Sequence, residues 1–125
     1  MKTFIYENNK LNFDFCLGSI NDVYVKELGG NFNDLIDIET YNDNPSKVIE
    51  ITRDMLLSGH IYYLFTNGEE EKAEQYLTKL KSSRMIATKW LEKITVIKAL
   101  EWVGESFKTS EVEQPQANIT TKKKK

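Results

Sequence analysis

His60 is the only histidine and Cys16 the only cysteine in this 125-residue chain. They form the one couple in which a nucleophile and its base are conceivable. Cys16, however, lies in an alternating run with Phe13, Phe15 and Leu17, where it reads as a small apolar residue. His60 falls at the edge of an apolar helical face and reads as a packed polar side chain. Glu69-Glu70-Glu71 offers carboxylates without a histidine or further carboxylate at ligand spacing. Gly29-Gly30 follows a helical segment, whereas a phosphate-cradling loop precedes one. No cysteine and histidine cluster is spaced for zinc. These residues point away from an enzyme, a metal and a cofactor, and toward a protein that works by binding.

The stretch from Asn44 to Phe65 must position most of what remains. Asn44 can cap a helix with its side-chain oxygen, and Pro45 suits the first helical position, where a missing N–H costs nothing. Asn67-Gly68 stops the helix. At about 100° per residue, Val48, Ile51, Thr52, Met55, Gly59, Tyr62 and Tyr63 share one face, flanked by Ile49 and Leu56. The opposite side is polar only until Ser58 and then turns apolar through Leu57, Ile61, Leu64 and Phe65. A helix that is apolar all round is either a central core helix or awaits a partner on one side.

Before it, Thr3–Glu7 and Leu11–Leu17 alternate with a period of two around Asn8-Asn9-Lys10, which predicts a hairpin. Ser19 and Asp22 resemble a capping box opening a short helix with Ile20, Val23, Tyr24 and Leu28 inward. A further short helix, capped by Asn33, is expected within Asn31–Tyr41. After Gly68, the three glutamates suit a helix start, because the positive end of the helix dipole favours them. Ala73, Tyr76, Leu77 and Leu80 then form the buried stripe. Ser82-Ser83 reads as a break, with Ser83 capping one long helix from Arg84 to about Phe107. Met85, Ile86, Trp90, Val96, Ile97, Leu100, Val103 and Phe107 make its broad core face. Leu91, Ile94 and Trp102 lie off that face, and tryptophan is enriched at interfaces.

Length and an apolar fraction of 40% indicate one domain with a modest core. The expected fold is α+β, mostly α: an N-terminal hairpin on a small helical bundle over residues 1–107. Residues 108–125 lose periodicity and read as a disordered tail. Asn118-Ile119-Thr120 matches a glycosylation acceptor, a match without meaning in a cytoplasmic chain. The net charge of −2 hides a division: residues 1–71 are acidic, and both 72–107 and 108–125 are basic. That favours self-association, intramolecular pairing or a partner of mixed charge, not nucleic acid. A helix-turn-helix across Asn67-Gly68 would aim three glutamates at phosphates. No segment approaches the ~20 apolar residues that span a bilayer, and a single thiol fits a reducing cytoplasm.

The runs L-N-F-D-F-C-L-G-S-I-N-D-V-Y-V-K-E-L-G-G and N-P-S-K-V-I-E-I-T-R-D-M-L-L-S-G carry a pattern of residue types over residues 3–66. In that pattern the chain resembles the tail assembly chaperones of long-tailed bacteriophages of Gram-positive hosts. The resemblance implies a non-enzymatic protein of the host cytoplasm that coats the apolar, helical tape-measure protein and recruits tail-tube subunits. It also implies a longer frameshifted product, for which the Lys122–Lys125 run is a plausible slip site. On this reading Leu57, Ile61, Leu64, Phe65, Leu91, Ile94 and Trp102 form the partner-binding surface. The alternative is a small cytoplasmic regulatory or host-interaction protein acting by helix-mediated protein binding.

Overall fold

Asn44 and Pro45 start the central helix as expected: the Asn44 side chain accepts from the Lys47 amide at 3.2 Å, and α2 runs Pro45–Thr66. Around it, a computed structural model of the chain, which describes residues 1–41 and 43–113, arranges every other element. These are strands β1 (Lys2–Tyr6) and β2 (Asn9–Phe13), a π-helical turn (Ser19–Val25), α1 (Phe32–Ile36) and a 3-10 turn (Ile38–Tyr41). Three helices follow α2: α3 (Glu70–Thr78), α4 (Leu80–Ile94) and α5 (Val96–Glu113). The fold is thus mostly helical, with an N-terminal antiparallel hairpin, as the alternating pattern predicts. Among the described residues no helix is long and apolar enough to cross a membrane.

The hairpin turns earlier than the Asn-rich run suggests. Glu7 and Asn8 both have positive φ, 48° and 68°, the backbone of a two-residue turn that matches strand twist. The register pairs Tyr6 with Asn9, Phe4 with Leu11 and Lys2 with Phe13. Leu11, Phe13 and Phe15 are buried, whereas Leu17, beyond the strand, is exposed.

The capping-box expectation at Ser19 is corrected. The Ser19 hydroxyl donates to the Cys16 carbonyl and accepts from the Cys16 amide, so it closes a local loop and caps no helix. The turn that follows is wound with i→i+5 bonds, such as the Leu28 amide to the Val23 carbonyl at 2.9 Å. Its inward face is still the expected one, with Ile20, Val23, Tyr24 and Leu28 buried. The cap of α1 is Asn31, which accepts from the Asn33 amide, and not Asn33. Arg84 pins the end of the π-helical turn to the bundle. Its guanidinium donates to the Leu28 carbonyl at 2.8 Å and meets Asp54 at 3.3 Å.

The largest correction concerns the last helices. The break falls at Lys79, not at Ser82-Ser83, and Ser83 lies buried inside α4. Its hydroxyl donates toward the carbonyls of Tyr76 at 2.7 Å and Lys79 at 3.0 Å, taking up acceptors released at the end of α3. The expected single helix from Arg84 to Phe107 is two helices. Thr95 divides them with φ 82° and ψ 150°, a backbone that β-branched residues rarely adopt. Its hydroxyl then accepts from the Lys98 amide and caps α5. The break rotates the α4 face: Ala87, Trp90, Leu91 and Ile94 are buried. Met85, Ile86 and Ile97, expected inside, are 64%, 43% and 72% exposed. Helix α5 continues to Glu113, past the expected end near Phe107. The remainder of the expected tail, 114–125, lies outside the described residues.

Candidate functional site

Five of the seven residues expected to form a partner-binding surface are enclosed. Leu57, Ile61, Leu64, Leu91 and Ile94 are all in the core, because α3 and α4 cover the side of α2 that the hairpin and the π-helical turn leave open. Helix α2 is therefore a core helix; Leu64 also borders an open cleft, and a partner reaches the other four side chains only by opening the fold. Phe65 and Trp102 are partly buried and pack against the same core. The Trp102 ring centroid lies 6.1 Å from that of Phe13.

The accessible feature lies elsewhere, in an open cleft of about 670 Å³ between the hairpin and the helices. Strand β2 and the hairpin turn make one wall, with Glu7, Asn9, Lys10 and Asn12. Helix α3 makes the other, with Lys72, Gln75 and Tyr76, and Ile86 of α4 stands at the rim. The floor is aromatic. His60, Tyr76 and Trp90 meet edge to face, with centroids 5.3 Å apart for His60–Trp90 and 5.4 Å for His60–Tyr76. Phe13 backs both His60 and Trp90 at 5.8 Å. Such T-shaped contacts each contribute about 0.5–1.5 kcal/mol beyond burial.

His60 is 6% exposed, and its Nδ1 lies 2.8 Å from the Asn12 carbonyl oxygen. A carbonyl can only accept, so Nδ1 carries the proton. Burial depresses the His60 pKa, against the pull of the Asn12 carbonyl and Glu69, and the ring is neutral at pH 7. Burial likewise pushes the Tyr76 hydroxyl up, which keeps it protonated. Both groups act as hydrogen-bonding, apolar-bodied surfaces.

Cys16 is partly buried and lies beside the Tyr62 hydroxyl, whose pKa is raised chiefly by the charge interaction with Cys16. His60 is committed to Asn12. The structure shows no contact between the thiol and the imidazole. Among the described residues no group of three His, Cys, Asp or Glu side chains could hold a metal ion. Glu69, the first of the three glutamates, forms an ion pair with Lys72 at 3.1 Å beside the cleft.

Sequence reasoning missed Lys10, Gln75 and Ile86 as cleft residues. Lys10 falls in the expected turn, and Ile86 falls on the expected core face because a helical wheel over residues 84–107 assumes one cylinder. The only local signal for the division is Thr95, a capping residue type without a glutamate three positions on. No family model, curated protein or solved structure matches this chain.

Proposed function

We propose that this is a non-enzymatic binding protein of the tail assembly chaperone kind, which holds segments of the tape-measure protein and recruits tail-tube subunits during virion assembly. The observation that supports the reading is the open cleft, with an aromatic floor and a polar rim, a make-up that suits protein recognition. The likeness of residue types over residues 3–66 supplies the identity of the partners. The site lies on the cleft and not on the buried side of α2, where the apolar pattern first suggests it.

The test is co-expression of the full chain with a tape-measure fragment, followed by pull-down. Ile86 is half-exposed at the cleft rim, so Ile86→Glu should leave the melting temperature within about 2 °C, as expected for a surface change of ~0.5 kcal/mol. The same change should abolish capture of the fragment. Capture that survives Ile86→Glu moves the site away from the cleft. No capture by the parent chain removes the tape-measure reading. A tube-protein gene upstream and a very long tape-measure gene downstream would support it independently.

A further inference from the structure

We infer that the cleft receives an extended protein segment as a third strand, added antiparallel to the free edge of β2 at Lys10. This rests on the reading of the cleft as a protein-binding site, and it adds the form and chemistry of what enters it.

The two-residue turn sets the hydrogen-bonding parity of the hairpin. With Glu7 and Asn8 as the turn, Tyr6 and Asn9 are a hydrogen-bonded pair, and so are Phe4–Leu11 and Lys2–Phe13. The intervening residues of β2 therefore turn their backbone groups away from β1. Two contacts at the far end agree with that parity. The Asn12 carbonyl accepts from His60, and the Asp14 amide donates to the Gly59 carbonyl at 3.1 Å. One step back, the N–H and C=O of Lys10 point out of the hairpin on the same side, and Lys10 lines the cleft. Among the described residues neither group has a hydrogen-bond partner, and neither does the Asn12 N–H.

A strand laid ~4.8 Å from β2 occupies the cleft between β2 and α3. One of its residues exchanges both backbone bonds with Lys10. His60, bound to Asn12, closes the ladder at that end, so the added strand is short.

The pleat then determines the recognised pattern. The residue opposite Lys10 directs its side chain to the outer face, beside the Lys10 ammonium, where an acidic side chain is favoured. Its two neighbours point inward, toward the floor of His60, Tyr76 and Trp90, where apolar or aromatic side chains are favoured. Of the charged side chains lining the cleft, Lys72 is paired with Glu69, and Lys10 and Lys79 together outnumber Glu7, which leaves a preference for an acidic segment. A second copy of this chain pairing edge to edge would set two Lys10 side chains against each other, which disfavours self-pairing. The occupant is a partner's extended segment with an acidic residue between two apolar ones.

The experiment pans a displayed library of random 12-residue peptides against the full chain and follows selected peptides by NMR. The apolar–acidic–apolar pattern should be enriched, and binding should slow hydrogen exchange at the Lys10 amide. Lys10 lies in a non-hydrogen-bonded pair, so Lys10→Pro keeps the hairpin while removing the outward N–H. It should weaken binding about tenfold, and Lys10→Gln, which keeps the N–H, should weaken it less. If Lys10→Pro disturbs the fold, a selected peptide N-methylated at its central residue gives the same test on the parent chain, with the same tenfold loss. Equal binding of the N-methylated peptide, an unprotected Lys10 amide, or no enriched pattern overturns strand addition. Tape-measure capture that survives Lys10→Pro but not Ile86→Glu overturns strand addition alone. Selected peptides that obey the Lys10 test without tape-measure capture overturn the partner's identity alone.

Discussion

The two ends of β2 are built from the same alternating pattern and meet opposite fates. At Asn12 and Asp14 the edge is closed: α2 lends the His60 side chain to the Asn12 carbonyl and the Gly59 carbonyl to the Asp14 amide. At Lys10 the edge is open and faces a cleft. Closure depends on backbone-to-backbone approach, and the residue that permits it is Gly59. A Cβ at that position would lie 2.8 Å from the Phe15 ring and 3.5 Å from the Asp14 amide. Where α2 offers a glycine the edge is sealed, and where it offers Tyr63 and Leu64 a gap remains. An edge strand exposes unpaired donors and acceptors, and here the exposure is confined to about one residue.

Three substitutions sharpen this contrast. Phe13 is fully buried and touches the rings of Phe15, His60, Trp90 and Trp102. Phe13→Ala should lower unfolding free energy by ~3–5 kcal/mol, read from urea denaturation. A loss below about 1 kcal/mol would mean that the closed end does not anchor the hairpin.

Gly59→Val should cost ~1–3 kcal/mol, because the added carbons force Phe15 and the Asp14 segment away from α2. Hydrogen exchange at the Asp14 amide should accelerate more than exchange at the mid-helix amides of α4. Equal acceleration throughout would show global loosening in place of local opening.

The smallest effect is the pH dependence of His60. Its folded pKa is depressed by burial below the ordinary value of 6.5, so the unfolded chain takes up the proton first. The stability tied to neutral His60 is therefore complete above about pH 6.5. It declines as the pH falls from there toward the depressed folded value. The urea midpoint of the parent should fall between pH 7.5 and 5.5 by more than that of His60→Gln. Parallel changes in the two proteins would show that carboxylates, not His60, set the acid response.

Much of the architecture was legible where a local signal had a local cause. Asn44, Pro45 and Asn67-Gly68 bound α2 as read, since a cap, a ring-constrained φ and a helix stop act within one turn. The hairpin was legible from alternation, but its turn was misplaced. Glu7 takes positive φ although Asn8-Asn9 is the commoner sequence for it, and pairing of Tyr6 with Asn9 decides the register. The candidate site was nearly invisible, because Lys10, Tyr76, Ile86 and Trp90 come from separate elements and none is unusual alone.

The sequence by itself determined that α2 is apolar all round past Ser58 and that the chain carries no clustered catalytic or zinc-binding pattern. Tertiary structure alone decided what covers α2. Whether Leu57, Ile61 and Leu64 meet a partner or the chain's own α3 and α4 depends on how those helices fold back, and periodicity says nothing of direction. The same holds for the exchange that buried Leu91 and Ile94 and exposed Met85 and Ile97. A helical wheel assumes one uninterrupted cylinder, and the backbone at Thr95 ends it. That conformation costs on the order of 1–3 kcal/mol, and it is held in place by packing that no stretch of the sequence contains.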